Sequence, residues 1–263
     1  MKKMKNIKNP EFVKRMVVDS ENLSEIRGKF LNGDEITTDE VNSTIATVPT
    51  HPDINWGGTG FSLLPWSAIE HLDFAIRDTI NRNIDGDFLE TGAWRGGACI
   101  VAKSIYNEVA PDRKVYVADS FEGLPKPTGE YPSDNGDTHY LSEFMKVSLE
   151  QVKDNFNKFD LIDDNLIFVK GWFKDTMPKL DIDKLSILRL DGDMYESTIQ
   201  VLDVMYSKLS VGGYCIIDDF YHKTCVAAIH DFRNKHGITE NIVAVDGHPQ
   251  NEVHYWIKLV ERG

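Results

Sequence analysis

Cysteine is scarce in this chain: Cys99, Cys215 and Cys225 are the only three in 263 residues, and none form a CxxC pair. An odd number so widely spaced argues against a disulfide framework or a zinc knuckle, and reduced thiols of a cytoplasmic protein are expected. Basic residues are outnumbered, 29 Lys and Arg against 42 Asp and Glu, for a net charge of −13. With no basic excess to neutralise phosphates, nucleic acid is not an expected partner. No apolar run approaches the roughly 18 residues of a membrane span, so a membrane is not expected either. The basic start, MKKMKNIKNPEF, is followed by no apolar signal-peptide core. Two nucleotide-binding fingerprints are also missing: there is no GxGxxG, and no GKS or GKT to close a phosphate loop.

What is present is a composition able to build a core, 41% hydrophobic and 27% charged. Residues 1 to 60 are polar and weakly periodic, with NPEFVKRMVVDSENLSEIRGKFL as the expected helical part and VPTHPDINWGGTG as a loop. From Ser67 the pattern becomes regular. Ile69, Leu72, Ala75, Ile76 and Ile80 recur at helical spacing. Strands and helices then alternate. GDFLETG, KVYVADS, LIFVKG, LSILRLDGD and YCIIDDF read as strands. GACIVAKSIYNEV, SEFMKVSLEQVKDNFNKF, YESTIQVLDVMYSKL and CVAAIHDFRNKHG read as helices between and after them. The second of these helices would bury Phe144, Val147, Val152 and Phe156, and the glycines of SVGGY would end the third. NIVAVD and HYWIKLVE, joined by GHPQNEV, suggest a terminal antiparallel hairpin. Alternation of this kind means βαβ units and a doubly wound, mostly parallel sheet. We expect an N-terminal helical extension, residues 1–60, followed by one α/β domain, 61–263.

Ligands of such sheets bind beyond the carboxyl ends of the strands, where the strand order reverses. The loop there reads ETGAWRGGA, whose glycines let backbone approach a ligand closely. The next strand ends at Asp119, placed to accept hydrogen bonds from ribose hydroxyls, or alternatively to cap a helix or hold a turn. Glu90, the glycines and Asp119 together suggest a nucleoside that carries an ammonium group and no pyrophosphate. S-adenosylmethionine fits that description better than NAD.

FLETGAWRGGA, VYVADSFEGLP, VKGWFKDTMP, ILRLDGDMYEST and LSVGGYCIIDDF occur in this order between about Phe61 and Trp256. Together they closely resemble the macrocin O-methyltransferase family, which methylates sugar hydroxyls of antibiotics. The resemblance implies the Rossmann-like class I methyltransferase fold, seven strands in the order 3-2-1-4-5-7-6, and S-adenosylmethionine as cofactor. It implies a bound divalent metal, usually Mg²⁺, a small hydroxylated acceptor, and a homo-oligomer. Cofactor contacts would fall on Glu90, Thr91, Gly92, Ala93, Trp94, Asp119, Ser120, Gly171, Trp172 and Asp191. Arg95 would line the same cleft, and Phe61, Leu63 and Leu64 would close over it, although the family's tyrosine-containing pattern is altered there. The N-terminal sixty residues match less well, and in the family they form the lid and much of the acceptor pocket. A phenol, catechol or amine acceptor is the alternative to a sugar hydroxyl.

That strand order sets Asp191, at the end of the fourth strand, beside Asp218 and Asp219 at the end of the fifth, about 4.8 Å away. Three converging carboxylates would repel, and a hard divalent cation resolves the repulsion; an all-oxygen set favours Mg²⁺, Ca²⁺ or Mn²⁺ over zinc. The competing reading makes the Asp218-Asp219 pair a helix cap and Asp191 the start of a turn. The family pattern places the general base at Asp193, where the alternative is a cap for the helix near Tyr195. The glycine between Asp191 and Asp193 is expected to let them face different ways. His139 either reaches the active site or merely precedes a helix, and His222 is expected at the surface or as a cap.

Overall fold

The computed structural model describes residues 8–49, 58–246 and 253–261. Seven strands, β1 (Asp87–Thr91), β2 (Val115–Asp119), β3 (Leu166–Lys170), β4 (Leu185–Leu190), β5 (Leu209–Ile217), β6 (Val243–Ala244) and β7 (His254–Ile257), form one sheet. Its order is β3-β2-β1-β4-β5-β7-β6, as the resemblance implied. β7 runs antiparallel to both neighbours and the remaining pairs are parallel. Every residue of β4, LSILRL, is buried. A strand covered on both faces reads as a nearly continuous apolar run, which is why the centre of the sheet was legible.

Helices cover both faces. α1 (Pro10–Val17), α2 (Ser24–Asn32), α3 (Thr38–Ala46), α4 (Trp66–Asn81), α5 (Gly97–Val109) and α6 (Leu149–Lys158) carry the buried apolar residues of one face. The other face is covered by α8 (Tyr195–Met205) and α9 (Lys223–Lys235), with the short α7 (Phe173–Thr176) at its edge. The first helices share the main core. Phe30 packs against Phe61 and Phe159, ring centroids 6.4 and 4.7 Å away, and the buried Lys14 ammonium sits 2.8 Å from Asp73.

Several boundaries differ from the sequence expectation. The N-terminal helical stretch is two helices separated by a 3₁₀ turn, and α3 follows, opened by a capping box between Thr37 and Glu40. The helix expected from Ser142 begins at Leu149, where the Ser148 hydroxyl accepts Gln151 N at 3.2 Å. Phe144 therefore leaves the core and stacks on Trp94, 5.1 Å between centroids. The SVGG glycines do not end α8; they lie inside β5, where the register against β4 shifts. Only Val243 and Ala244 of NIVAVD pair, and most of the expected linker, 247–252, lies outside the described residues, as do 50–57 of the expected loop.

The ladder continues one bond beyond the strand tips. Gly92 N donates to Ala118 O, Gly171 N to Asp119 O, Asp191 N to Thr91 O, and Asp218 N to Leu190 O, each at 2.9 Å. These bonds align the ends of β1, β2, β3, β4 and β5 in one row. The chain leaves β1 toward β2 on one side and returns to β4 on the other, so the crevice opens there.

Candidate active site

A cleft of about 620 Å³ lies along that row. Gly92 has φ +90°, and a Cβ added there would meet the Asp191 carbonyl oxygen at 1.5 Å, so only glycine allows β1 and β4 to close at this point. The turn that follows is organised by Asp119. Its Oδ2 accepts Ala93 N at 2.8 Å and Trp94 N at 3.2 Å, while Oδ1 accepts Phe121 N at 2.7 Å. Burial raises the Asp119 pKa, and these three N–H groups oppose the shift. Ser120 Oγ lies 3.4 Å from Oδ1, but its one proton is directed to Gly123 O at 2.6 Å. Oδ1 thus keeps an acceptor position for a ligand hydroxyl. Asp119 therefore holds the turn, the second of the two roles expected for it.

Glu90, Gly92, Ala93, Trp94, Asp119, Ser120, Gly171, Trp172 and Asp191 all line the cleft, as do Phe61, Leu63 and Leu64. Two expected residues do not. The buried Thr91 hydroxyl donates to Arg189 O at 3.3 Å, because strand alternation turns it away from Glu90 and the crevice. Arg95 donates to the carbonyls of Gly58 and Gly60, at 2.9 and 2.8 Å, and packs on the Trp94 ring. These bonds occupy the guanidinium, and Arg95 is not among the residues that line the cleft.

Arg189 is the residue that sequence reasoning passed over. It lies fully inside β4, directly beside Glu90 of β1 in the register, and its guanidinium pairs with Glu90, with Asp191 at 2.7 Å and with Asp218 at 2.5 Å. Burial works against its charge, but Asp218, Asp191 and Glu90 raise its pKa well above the usual arginine value. Both Glu90 oxygens are engaged, Oε1 with Arg189 and Oε2 as acceptor of the Cys99 thiol at 2.7 Å. Burial nonetheless raises the Glu90 pKa. The signal was present in the sequence: a lone charge inside ILRL, a run otherwise fit for a core, needs partners.

Arg189 resolves only part of the repulsion that the acids at the strand tips create. Asp191, Asp218 and Asp219 offer oxygens within 4.8 Å of one another. Asp219 is 3% exposed, its Oδ2 accepts Asp193 N at 2.8 Å, and no lysine or arginine among the described residues pairs with it. Burial, then Asp193, Asp191 and Asp218, raise its pKa well above the carboxylate range; burial and Asp218 do the same to Asp191. A buried carboxylate without a cation beside two others is an expensive arrangement, and an oxygen-only donor set of this kind fits a hard divalent ion.

Asp193 adjoins this cluster, since Asp193, Asp219 and His222 also offer ligand atoms within 4.8 Å of one another. The left-handed backbone falls on Asp193 itself, φ +58°, and not on Gly192. Gly192 is needed for a different reason, because a Cβ there would meet Ser197 Cβ at 2.8 Å. Nor does Asp193 cap α8. The first two amides of that helix, Tyr195 N and Glu196 N, are taken by the buried Asp134 carboxylate at 2.8 and 2.9 Å. Asp193 Oδ1 instead lies 3.3 Å from His222 Nε2. His222 occupies the N-cap position of α9 but makes no capping bond with its side chain. His139 is half exposed, held by Asp137 at 2.8 Å, and its ring lies 5.5 Å from that of His222.

A sheet of this order, with a glycine turn after β1 and an acid at the tip of β2, has the class I methyltransferase fold. A family model for macrocin-O-methyltransferase (TylF) matches residues 14–257. Mycinamicin III 3''-O-methyltransferase of Micromonospora griseorubida is 41% identical over 190 residues, 70% of this chain and 75% of that protein. Demethyldecarbamoylnovobiocin O-methyltransferase of Streptomyces niveus is 40% identical over 197 residues, 73% of this chain and 75% of the relative. The solved structure of the O-methyltransferase NovP superposes with a TM-score of 0.73 at 37% identity, covering 77% of this chain and 84% of that one. The chain belongs to the macrocin-O-methyltransferase family and is a methyltransferase. Among the described residues no helix is long and apolar enough to cross a membrane.

Proposed function

We propose that the protein transfers a methyl group from S-adenosylmethionine to a hydroxyl of a sugar or other small natural product, with Asp193 as general base at a divalent-metal site. The names of its relatives support the acceptor class, since they are O-methyltransferases of mycinamicin III and of demethyldecarbamoylnovobiocin. The observation that carries the metal is Asp219, a buried carboxylate that pairs with no lysine or arginine among the described residues, beside Asp191 and Asp218.

Glu90, Gly92, Ala93, Trp94, Asp119, Ser120, Gly171 and Trp172 would hold the cofactor, Asp119 through the acceptor position on Oδ1. When bound, S-adenosylmethionine supplies an electrophilic methyl with a neutral thioether as leaving group. Asp191, Asp218 and Asp219 would hold the metal, which when bound lowers the pKa of a coordinated hydroxyl. The remaining work belongs to the chain. The cleft walls align nucleophile and methyl, Arg189 fixes the acids in place, and Asp193 accepts the hydroxyl proton as the C–O bond forms. Val18, Asp19 and Gly60 line the cleft, which supports a role for the N-terminal extension as lid and wall of the acceptor pocket.

The test is methyl transfer from labelled S-adenosylmethionine to a panel of glycosylated acceptors, with the product position read by mass spectrometry and NMR. Asp193→Asn is expected to lower kcat by roughly 10²–10⁴, and Asp219→Asn or EDTA to abolish turnover. Full activity in EDTA overturns the metal, an unchanged kcat in Asp193→Asn overturns the base, and methylation at nitrogen alone overturns the hydroxyl.

A further inference from the structure

Residues 60–65 form one wall of the cleft, and the segment that leads into them, 58–62, belongs to no helix or strand. Side chains hold its backbone instead. Arg95 Nη1 donates to Gly58 O at 2.9 Å and to Gly60 O at 2.8 Å. The carbonyl between them, Thr59 O, accepts Arg27 Nη2 at 2.8 Å, and Thr59 N donates to Asp19 Oδ2 at 2.8 Å. Phe61 N and Ser62 N both donate to Val17 O, at 2.8 and 3.2 Å. Val17, Asp19 and Arg27 belong to the N-terminal extension, so their bonds tie the segment to its own neighbours. Arg95 is different, because it stands in the turn between β1 and α5. The two residues before it, Ala93 and Trp94, have their amides fixed by Asp119, and Asn155 Nδ2 donates to its own carbonyl at 3.0 Å. Its guanidinium lies 4.2 Å from the centre of the Trp94 ring. Burial lowers the Arg95 pKa, with Asp19 opposing, yet its hydrogen bonds go to two neutral carbonyls and to no carboxylate among the described residues. A cation partly withdrawn from water in this way serves the segment it holds and not the balance of charge.

We propose that Arg95 is a positioning residue that ties the wall segment 58–62 to the cofactor turn, so that filling the cofactor site and ordering the wall favour each other. This rests on the reading above, in which the turn after β1 and Asp119 meet S-adenosylmethionine, and adds the residue through which that half of the cleft reaches the other. Arg95 acts through Gly58 and Gly60 and does not line the cleft itself. A cofactor in contact with Trp94 and Asp119 restrains the turn, and the Arg95 backbone is restrained with it. The guanidinium passes that restraint to two carbonyls of the wall. Coupling of this kind is reciprocal: whatever factor the cofactor contributes to order in the wall, the ordered wall returns to cofactor affinity. Arginine suits the task because one planar nitrogen presents two N–H groups to carbonyls two residues apart, while the Trp94 ring restricts the fork. A lysine could reach the same oxygens but would present a freely turning ammonium.

The test uses the full chain with S-adenosylhomocysteine as the probe. Amide hydrogen exchange is followed by mass spectrometry in the wall segment, and affinity by calorimetry. In the wild type, S-adenosylhomocysteine should slow exchange of the Phe61 and Ser62 amides by about tenfold, within the usual range of coupling between two sites. Arg95→Ala should remove most of that slowing and weaken S-adenosylhomocysteine binding by the same factor, while exchange in β4 stays as in the wild type. Arg95→Lys should keep part of both effects, and it carries the test if the alanine variant does not fold. A merely structural role would speed wall exchange equally with and without S-adenosylhomocysteine, and that result overturns the coupling. An absence of S-adenosylhomocysteine-dependent slowing in the wild type overturns it as well, as does lost slowing with unchanged affinity in the variants. Methyl transfer is measured separately. Arg95-dependent slowing without transfer to any hydroxyl sinks the proposed function and leaves the role of Arg95 standing, whereas transfer to a hydroxyl with Arg95-independent slowing does the reverse.

Discussion

Replacing Arg189 with methionine isolates the ion cluster on which the site is built. The side chain is 2% exposed and touches Glu90, Asp191 and Asp218. Removing one partner of a buried ion pair destabilises by about 3–5 kcal/mol, because the other charge is left unpaired. Glu90 can limit that loss by taking up a proton. Protonating a carboxyl of ordinary pKa near 4.3 costs about 3.7 kcal/mol at pH 7 but only about 1 kcal/mol at pH 5, at 1.36 kcal/mol per unit. The Glu90 pKa is already raised by burial in the presence of Arg189, and without the guanidinium it rises further. The folded variant then binds more protons than the unfolded chain between about pH 4.3 and that raised value, so its stability falls as pH rises through this window. Urea unfolding followed by circular dichroism in EDTA should show a loss of about 3–5 kcal/mol at pH 7.5 that shrinks to about 1–2 kcal/mol at pH 5. Glu90→Gln in the same background should recover part of the loss at pH 7.5. A loss below about 1 kcal/mol at pH 7.5, or one of equal size at both pH values, refutes the reasoning.

Three further perturbations follow from the geometry. Gly92→Ala brings a Cβ onto the Asp191 carbonyl, so calorimetry should find S-adenosylhomocysteine binding lost by more than about a hundredfold; binding within threefold of wild type would falsify the close approach of β1 and β4. Asp134→Ala strips two amides of α8 of their acceptor and should lower stability in urea by about 1–2 kcal/mol, with Asp134→Asn recovering most of it. His71, packed 4.4 Å from Tyr255 with its Nε2 unpartnered, has its pKa lowered by burial to about 4. The unfolded chain therefore takes up the proton first, and up to about 3 kcal/mol should be lost as pH falls from about 6.5 to 4. His71→Gln should flatten that limb of the urea-midpoint profile, and an unchanged slope argues for a charged, solvated His71.

The order of the elements was legible because buried parallel strands and amphipathic helices write different periods into the chain. The strand order implied by the family resemblance then put Asp191, Asp218 and Asp219 at adjacent strand tips before any contact was known. What escaped it was non-local. Asp134 caps a helix sixty-one residues away, from a segment with no periodicity of its own, so nothing near Asp193 announced that its capping role was already filled. Arg189 is visible in ILRL as a lone charge, but a strand pattern records that a residue is buried and not what lies in the next strand. The helix starts at Leu149 although Phe144 and Val147 fit a helical period, because Phe144 lies in a 3₁₀ turn against Trp94 and Val147 enters the core from the stretch before the helix. Arg95, beside the glycines, gave no local sign that the carbonyls of Gly58 and Gly60 would claim it.

The division of labour between Asp191 and Asp193 is set by backbone, and the cluster explains how that backbone is held. A non-glycine residue in the left-handed region carries strain of about 1 kcal/mol or more. Asp193 is kept there by its own peptide groups, with its N–H on Asp219 Oδ2 at 2.8 Å and its carbonyl accepting the Thr224 hydroxyl at 3.1 Å. One carboxylate of the proposed metal set therefore also fixes the main chain of the proposed base. Ser197, packed against the space where a Gly192 Cβ would be, prevents the turn from relaxing toward α8. Relaxation of this turn would swing Asp193 away from His222 and from the cleft, so the strain and the aim of the side chain are one property. Arg189, by pairing with Glu90, Asp191 and Asp218 but not Asp219, leaves the acid that touches the base as the one still in need of a cation.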